Sequence, residues 1–231
     1  MQSFKYSFLD GHIIFDLRDK RVLLDTGAPI SVGPGRSVNF CGRTFTLKGD
    51  YMGVNVTSLS KLVGAEIDVL MGMDIIGHHD CLMDPDTLHL TFGNDLSDLQ
   101  LQVPVSQFMG IPIVSCRIGG KDLRVFFDTG AKLSYFDGAD RFQYLKEEQD
   151  FYPGIGGFTT KVYEVPIQIA GEPISLKMGI LPPLLQTTLM MAGVSGILGT
   201  GLLEWFKICL SIQRQRVTFA RIKGTGRRGG M

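Results

Sequence analysis

Asp25 and Asp128 stand in the same local context. Val22-Leu23-Leu24-Asp25-Thr26-Gly27-Ala28 recurs 103 residues later as Val125-Phe126-Phe127-Asp128-Thr129-Gly130-Ala131, and a serine follows each aspartate by six positions (Ser31, Ser134). A carboxylate at the end of an apolar strand, followed by Thr-Gly, is held on a tight loop with a dry wall behind it. Two such carboxylates, delivered by related halves of one chain, can meet across a pseudo-two-fold axis. Like charges at that distance cannot both ionise at ordinary pH, so the pair shares a proton. The ionised partner can then take a proton from a bound water while the neutral one donates to a substrate carbonyl. Thr26 and Thr129 have hydroxyls able to brace the loops against each other. Gly27 and Gly130 allow close backbone approach, and Ser31 and Ser134 are placed to steady the loops by local hydrogen bonds.

The elements that must position these loops also occur twice. His12 to Leu17 and Ile111 to Ile118 are β-type runs, each followed by a polar turn and then the strand that ends at the aspartate. Further on, Val69-Leu70-Met71-Gly72 pairs with Gly196-Ile197-Leu198-Gly199, and Thr91-Phe92 with Thr218-Phe219, now 127 residues apart. The second half therefore holds 24 extra residues between its motifs. Phe151 to Val162 reads as two strands joined by a glycine-rich tip, with Tyr152, Gly154, Ile155, Gly156, Gly157 and Phe158 as a cover over the site. Val165 to Leu176 reads as a further hairpin turning at Ala170 to Pro173. In the first half Leu47 to Gly53 is expected to form a shorter hairpin that brings Tyr51 toward substrate. Helical signal is thin: Thr57 to Val63, Ala139 to Glu148, Met73 to His79 and Thr200 to Phe206 are the candidates. Asn94 to Gln107 is polar and suits a connection between halves.

Composition narrows the function classes. Lys+Arg and Asp+Glu both number 23, and the zero net charge lacks the basic footprint of nucleic-acid binding. Glycine, at 29 of 231 residues, is nearly twice the usual roughly 7% and points to many tight turns. The uncharged stretch Met178 to Leu203 is long enough to cross a bilayer. Its Pro182-Pro183, polar residues and glycines instead suit a buried β segment with turns. The N-terminus lacks the apolar run of a secretory signal, so the expectation is a cytoplasmic protein, or a mature form whose leader has been removed. Cys41, Cys81, Cys116 and Cys209 show no metal spacing and read as free thiols. His78-His79-Asp80 has no third ligand spaced to help. The pattern calls for no metal and no cofactor.

On these residues the chain resembles an aspartic protease of the pepsin and retropepsin superfamily, in single-chain form. The second half is similar to a whole retropepsin subunit in motif order: Asp128-Thr129-Gly130-Ala131, the flap at Gly154-Ile155-Gly156-Gly157-Phe158, the hairpin, then Ile197-Leu198-Gly199. The resemblance implies an all-β, bilobal fold of two related barrel-like lobes, with lobes at 1–98 and 99–222 and a flexible tail at 223–231. It implies an endopeptidase acting on extended, largely apolar segments of peptide or unfolded protein, bound as an added strand between flap and dyad. Because both aspartates lie in one chain, the active unit is expected to be a monomer. Two departures stand out. Ala28 and Ala131 replace the Ser or Thr that pepsins place after Asp-Thr-Gly, and the better flap is in the second half. A hydroxyl there would favour the ionised carboxylate, so its loss predicts a dyad that works at mildly acidic to neutral pH. The shortened cover of the first half leaves a peptide-binding module without catalysis as the alternative.

Overall fold

The computed structural model describes residues 1–152 and 155–223, and 52% of the chain is strand against 13% helical. The protein is all-β in class. Three strands open the chain: β1 (Gln2–Leu9), β2 (His12–Leu17) and β3 (Lys20–Leu24). Asp10 and Gly11, between β1 and β2, both have positive φ (44° and 81°), the geometry that makes Asp-Gly a preferred two-residue hairpin turn. There follow β4 (Ser37–Phe40), β5 (Arg43–Thr46), α1 (Val56–Val63), β6 (Val69–Met71), α2 (Met73–Ile76), β7 (Asp80–Asp84) and β8 (His89–Gly93). The rest of the chain adds β9 (Leu101–Pro104), β10 (Ser106–Phe108), β11 (Ile111–Ile118), β12 (Lys121–Phe127), β13 (Ser134–Phe136), β14 (Gln143–Tyr152), β15 (Gly156–Ile169) and β16 (Glu172–Gly179). It closes with α3 (Pro183–Met191), β17 (Gly196–Leu198), β18 (Phe206–Ser211) and β19 (Arg216–Arg221).

The strands form a nine-stranded sheet, β6-β3-β2-β1-β8-β7-β18-β19-β9, an eight-stranded sheet, β10-β11-β12-β17-β13-β16-β15-β14, and the β4-β5 hairpin. The repeat is visible in the registers. Leu23 pairs parallel with Leu70 as Phe126 does with Ile197, and Val32 opposes Leu70 as Tyr135 opposes Ile197. The closing strands cross between halves: β18 pairs with β7 through Leu210 and Cys81, so the C-terminal hairpin completes the sheet that the first half begins. One continuous core runs through both sheets and includes Phe15, Phe92, Phe127, Phe206 and Phe219, all nearly fully buried. Each contributes about 1.5–3 kcal/mol by leaving water.

Three sequence expectations are corrected. The Ala139 to Glu148 helix is a single 3-10 turn at Ala139–Arg141 followed by β14. Its helix-forming Leu145 to Gln149 run is overridden by pairing with β15, where Glu147 opposes Lys161. The stretch read as buried β with turns contains α3, with Pro183 at its first turn and Leu185 and Leu189 buried one turn apart. The connection near Asn94 to Gln107 is itself stranded, as β9 lies against β19 and β10 against β11. The Thr200 to Phe206 candidate is a 3-10 turn at Thr200–Glu204, and α1 and α2 fall where short helices were expected. All four cysteines are free, and Cys81, Cys116 and Cys209 are buried. Among the described residues no helix is long and apolar enough to cross a membrane. Of the expected tail only Lys223 is described; its N–H donates to Asp86 at 3.1 Å.

Candidate active site

The two Asp-Thr-Gly loops meet. β3 and β12 end at Asp25 and Asp128, and each aspartate is anchored by its own N–H to the strand beside it, Asp25 to the Met71 carbonyl (3.0 Å) and Asp128 to that of Leu198 (2.9 Å). The threonines cross over. Thr26 Oγ1 accepts from Thr129 N–H (2.9 Å) and donates to the Phe127 carbonyl (2.8 Å). Thr129 Oγ1 accepts from Thr26 N–H (3.0 Å) and donates to the Leu24 carbonyl (2.9 Å). Both threonines are completely buried, so every one of these bonds replaces a lost contact with water.

This brace sets the carboxylates against the opposite loops. A Cβ on Gly27 would lie 2.2 Å from Asp128 Cγ, and one on Gly130 would lie 2.4 Å from Asp25 Cγ. Only glycine permits that approach at either position. Asp25 Oδ1 accepts from Gly27 N–H (2.8 Å) and Ala28 N–H (3.0 Å), and Asp128 Oδ1 accepts from Gly130 N–H (2.8 Å). Burial pushes the pKa of both carboxyls upward, and for Asp25 the neighbouring Asp128 charge adds to it, while the loop N–H groups oppose the rise. Two acids held this way bind protons as one coupled pair.

The serines sit behind the loops as expected. Gly72 N–H donates to Ser31 Oγ (2.9 Å) and Gly199 N–H to Ser134 Oγ (3.0 Å). The Ala28 and Ala131 carbonyls accept from Met73 N–H (2.8 Å) and Thr200 N–H (3.0 Å). Ser31 has a partner that Ser134 lacks, since it also donates to Asp74 (2.6 Å).

The cover is unequal. β14 and β15 run as a long hairpin in which Tyr152 opposes Gly156, Phe151 opposes Gly157 and Asp150 opposes Phe158. Gly156 has φ of 92°, which favours glycine; a Cβ on Gly157 would meet nothing closer than 4.0 Å. Gly154 lies outside the described residues. Tyr152, Ile155 and Phe158 pack on an apolar cluster with Leu133, Leu181 and Ile197. In the first half the expected hairpin is a tight turn, Tyr51 bridging Val54 with Met52 and Gly53 at positive φ. Tyr51 packs beside Val56 and Leu59 on a smaller cluster that contains Ala28 and Leu70. Both phenols have raised pKa values, first from burial and then from the dyad. Tyr152 is acted on by Asp128, Asp25 and Tyr51, and Tyr51 by Asp25. The two tyrosines thus approach the dyad from opposite halves.

Groups not singled out in the sequence also reach the second loop. Tyr135 donates to Asp150 on β14, and His12 and Lys132 adjoin them. Their signal is spatial, because no shared motif links positions 12, 132 and 150. Among the described residues no group of His, Cys, Asp or Glu is arranged to hold a metal. Asp80, beside His78 and His79, is paired with Arg214 at 2.7 Å. Two surface hollows, one beside Phe4 and Arg18 and one beside Leu176 and Trp205, contain neither aspartate. The chain matches no protein-family model and no curated protein.

Proposed function

We propose that the protein is an aspartic endopeptidase with a bilobal pepsin- and retropepsin-like architecture. The observation that carries this reading is the reciprocal packing of the two loops: each glycine lies against the other half's carboxylate, and the buried threonines lock that approach. A turn aspartate kept for backbone capping needs no second copy at its side.

The mechanism follows from the shared proton. One carboxylate is ionised and removes a proton from a water held between the pair. The other, neutral, donates to the carbonyl oxygen as water attacks the peptide carbon, so no covalent enzyme intermediate forms. The tetrahedral species collapses as the proton taken from water passes to the leaving nitrogen. Tyr152, Ile155 and Phe158 above, with the apolar clusters on either side, suit an extended apolar segment and shield the reaction from water. With Ala28 and Ala131 contributing no hydroxyl, the dyad is expected to work at mildly acidic to neutral pH, and an optimum below about pH 3 would contradict this.

The deciding experiment incubates wild type, Asp25→Asn and Asp128→Asn with a pool of unfolded peptides between about pH 3 and 8. Cleavage by wild type alone is the expected result. Absence of cleavage by wild type, or full activity in both variants, refutes the reading. Activity per molecule should be unchanged on dilution, as for a monomer. The slight cover of the first half, a single Tyr51–Val54 bridge, favours a second reading, a peptide-binding module without catalysis. That module would bind peptides and release them intact.

A further inference from the structure

Seven residues after each aspartate the halves carry different side chains. Val32 follows Asp25 and Tyr135 follows Asp128, and both hold the same place in the sheet, opposite Leu70 and Ile197. Val32 is buried and its side chain has no donor. Tyr135 is buried too, but its hydroxyl donates to Asp150 on β14. The ring has a place made for it. A Cβ on Gly179 would lie 2.8 Å from Tyr135 Cε1, so only glycine leaves room for the phenol there. Phe158 packs against the same ring, with centroids 6.3 Å apart. Burial, then the Asp150 charge, push the pKa of the phenol upward, so it keeps the proton it donates.

Asp150 belongs to one face of the β14–β15 hairpin. The register there is unbroken, with Glu148 opposite Thr160, Asp150 opposite Phe158 and Tyr152 opposite Gly156. Alternate residues of a strand and their cross-strand partners share a face, so Glu148, Asp150 and Tyr152 project together with Thr160 and Phe158. That face is tied down along its length. Thr160 Oγ1 accepts from Ile180 N–H (2.9 Å) and donates to the Ile180 carbonyl (2.9 Å). Asp150 Oδ1 accepts from Phe151 N–H (2.8 Å), which leaves Oδ2 for the Tyr135 hydroxyl. Glu148 Oε1 lies 3.9 Å from Lys132 Nζ, but Lys132 is closer to Asp10 (3.2 Å) and Glu148 is also paired with Lys146 (2.7 Å). The ionic contact is long and shared, so the phenol is the firmer tie to the segment behind the Asp128 loop.

We propose that Tyr135 and Asp150 are positioning residues: their hydrogen bond clasps the β14–β15 hairpin to the segment that follows the Asp128 loop, and so fixes where Tyr152 is presented. Tyr152 is two residues from Asp150 on the same face, a step of about 6–7 Å along the strand, so a shift of one carries the other. Tyr152, Ile155 and Phe158 of the hairpin and Ala131 of the loop pack on one apolar cluster that includes Tyr135 and Leu133. Apolar packing is non-directional and lets a hairpin slide, whereas a phenol–carboxylate hydrogen bond has a set length and angle. A carboxylate stripped of that donor turns to water instead and draws β14 outward. The first half, with Val32 at the equivalent place and one Tyr51–Val54 turn, has no long hairpin to hold.

The consequence for catalysis rests on the peptidase reading, whereas the clasp itself does not. Tyr135→Phe keeps the ring in place and removes the hydroxyl; Asp150→Ala removes the acceptor. Each should raise KM for an apolar peptide about tenfold and change kcat less than about threefold, since the substrate is held less firmly in ground and transition states alike. The double variant should lose no more than either single one, because both ends belong to one bond. Asp150→Asn retains a carbonyl oxygen and should recover most of the wild-type KM. Losses that multiply in the double variant, or an unchanged KM in both single ones, overturn the clasp. Hydrogen exchange supplies the arm that needs no activity. In Tyr135→Phe and Asp150→Ala the amides paired between β14 and β15 should exchange about tenfold faster, while those of β7 and β18 keep their wild-type rates. Wild-type rates in the hairpin, or a uniform rise across both sheets, overturn the proposal even in an active enzyme. Faster exchange confined to the hairpin of a protein that cleaves nothing sustains the clasp and refutes the peptidase reading instead.

Discussion

The two halves place their aspartates by the same bonds and surround them differently. Strand register, anchoring of each aspartate N–H, the threonine crossover and the glycine approach are all duplicated to within a few tenths of an ångström. Everything outside that frame diverges. The first half covers its side with one turn and α1, the second with a long hairpin. The equivalent strands β2 and β11 begin with His12 in the first and Ile111 in the second. Such a division is expected where two carboxylates must meet at van der Waals distance, since a small displacement of either loop would separate them. A cover has only to enclose a flexible chain, and many shapes do that.

The largest effects should come from the duplicated frame. Asp25→Asn and Asp128→Asn are each expected to lower kcat/KM at least about 10²-fold, the range of a lost general acid or base. A large difference between them in peptide cleavage would show that the halves are chemically unequal. The same variants sharpen the electrostatics. Both carboxyls have raised pKa values in the fold, so the folded protein holds more protons than the unfolded chain above the ordinary aspartate pKa. Stability is therefore complete below about pH 4 and is lost as pH rises through the folded values. Denaturant unfolding should show that slope in wild type and a flatter one in either Asn variant, which should also be the more stable near neutrality.

Next come the crossed threonines. Thr26→Val strands the buried Thr129 N–H and Phe127 carbonyl of the second half, and Thr129→Val the Thr26 N–H and Leu24 carbonyl of the first, each for a loss of about 1–3 kcal/mol by chemical denaturation. Equal losses would confirm that the brace is shared; a marked inequality would assign it to one half. Ala28→Ser and Ala131→Ser should move the acidic limb of the pH profile downward by supplying a donor to the ionised carboxylate. The smallest effect should separate the serines. Ser31→Ala leaves Asp74 and Gly72 N–H without their partner, Ser134→Ala only Gly199 N–H. Thermal unfolding should show each to cost about 1 kcal/mol, with Ser31 the larger.

Much of the site was legible because its elements are local. Asp-Thr-Gly-Ala after an apolar strand, and Gly72 or Gly199 after a pair of apolar residues, are short strings whose geometry follows from their own side chains. Cover and helices were less so. Leu145 to Gln149 has strong helical preference, yet its partner Lys161 and the rest of β15 turn it into strand. Pro182-Pro183 looks like a breaker until the second proline is found starting α3. The pairing of β18 with β7 joins residues more than a hundred positions apart, and no periodicity in either strand announces it.

The amino-acid sequence by itself determined that a negatively charged turn would be built twice, with an apolar wall behind each, because a tight Asp-Thr-Gly turn and its flanking strand are set by steric and burial preferences over a few residues. Tertiary structure alone decided which groups those turns would face. Whether Gly130 lies against Asp25, and which residues come to lie beside each Asp-Thr-Gly loop, depends on how two halves dock. Docking is fixed by the summed packing of distant strands rather than by any one segment.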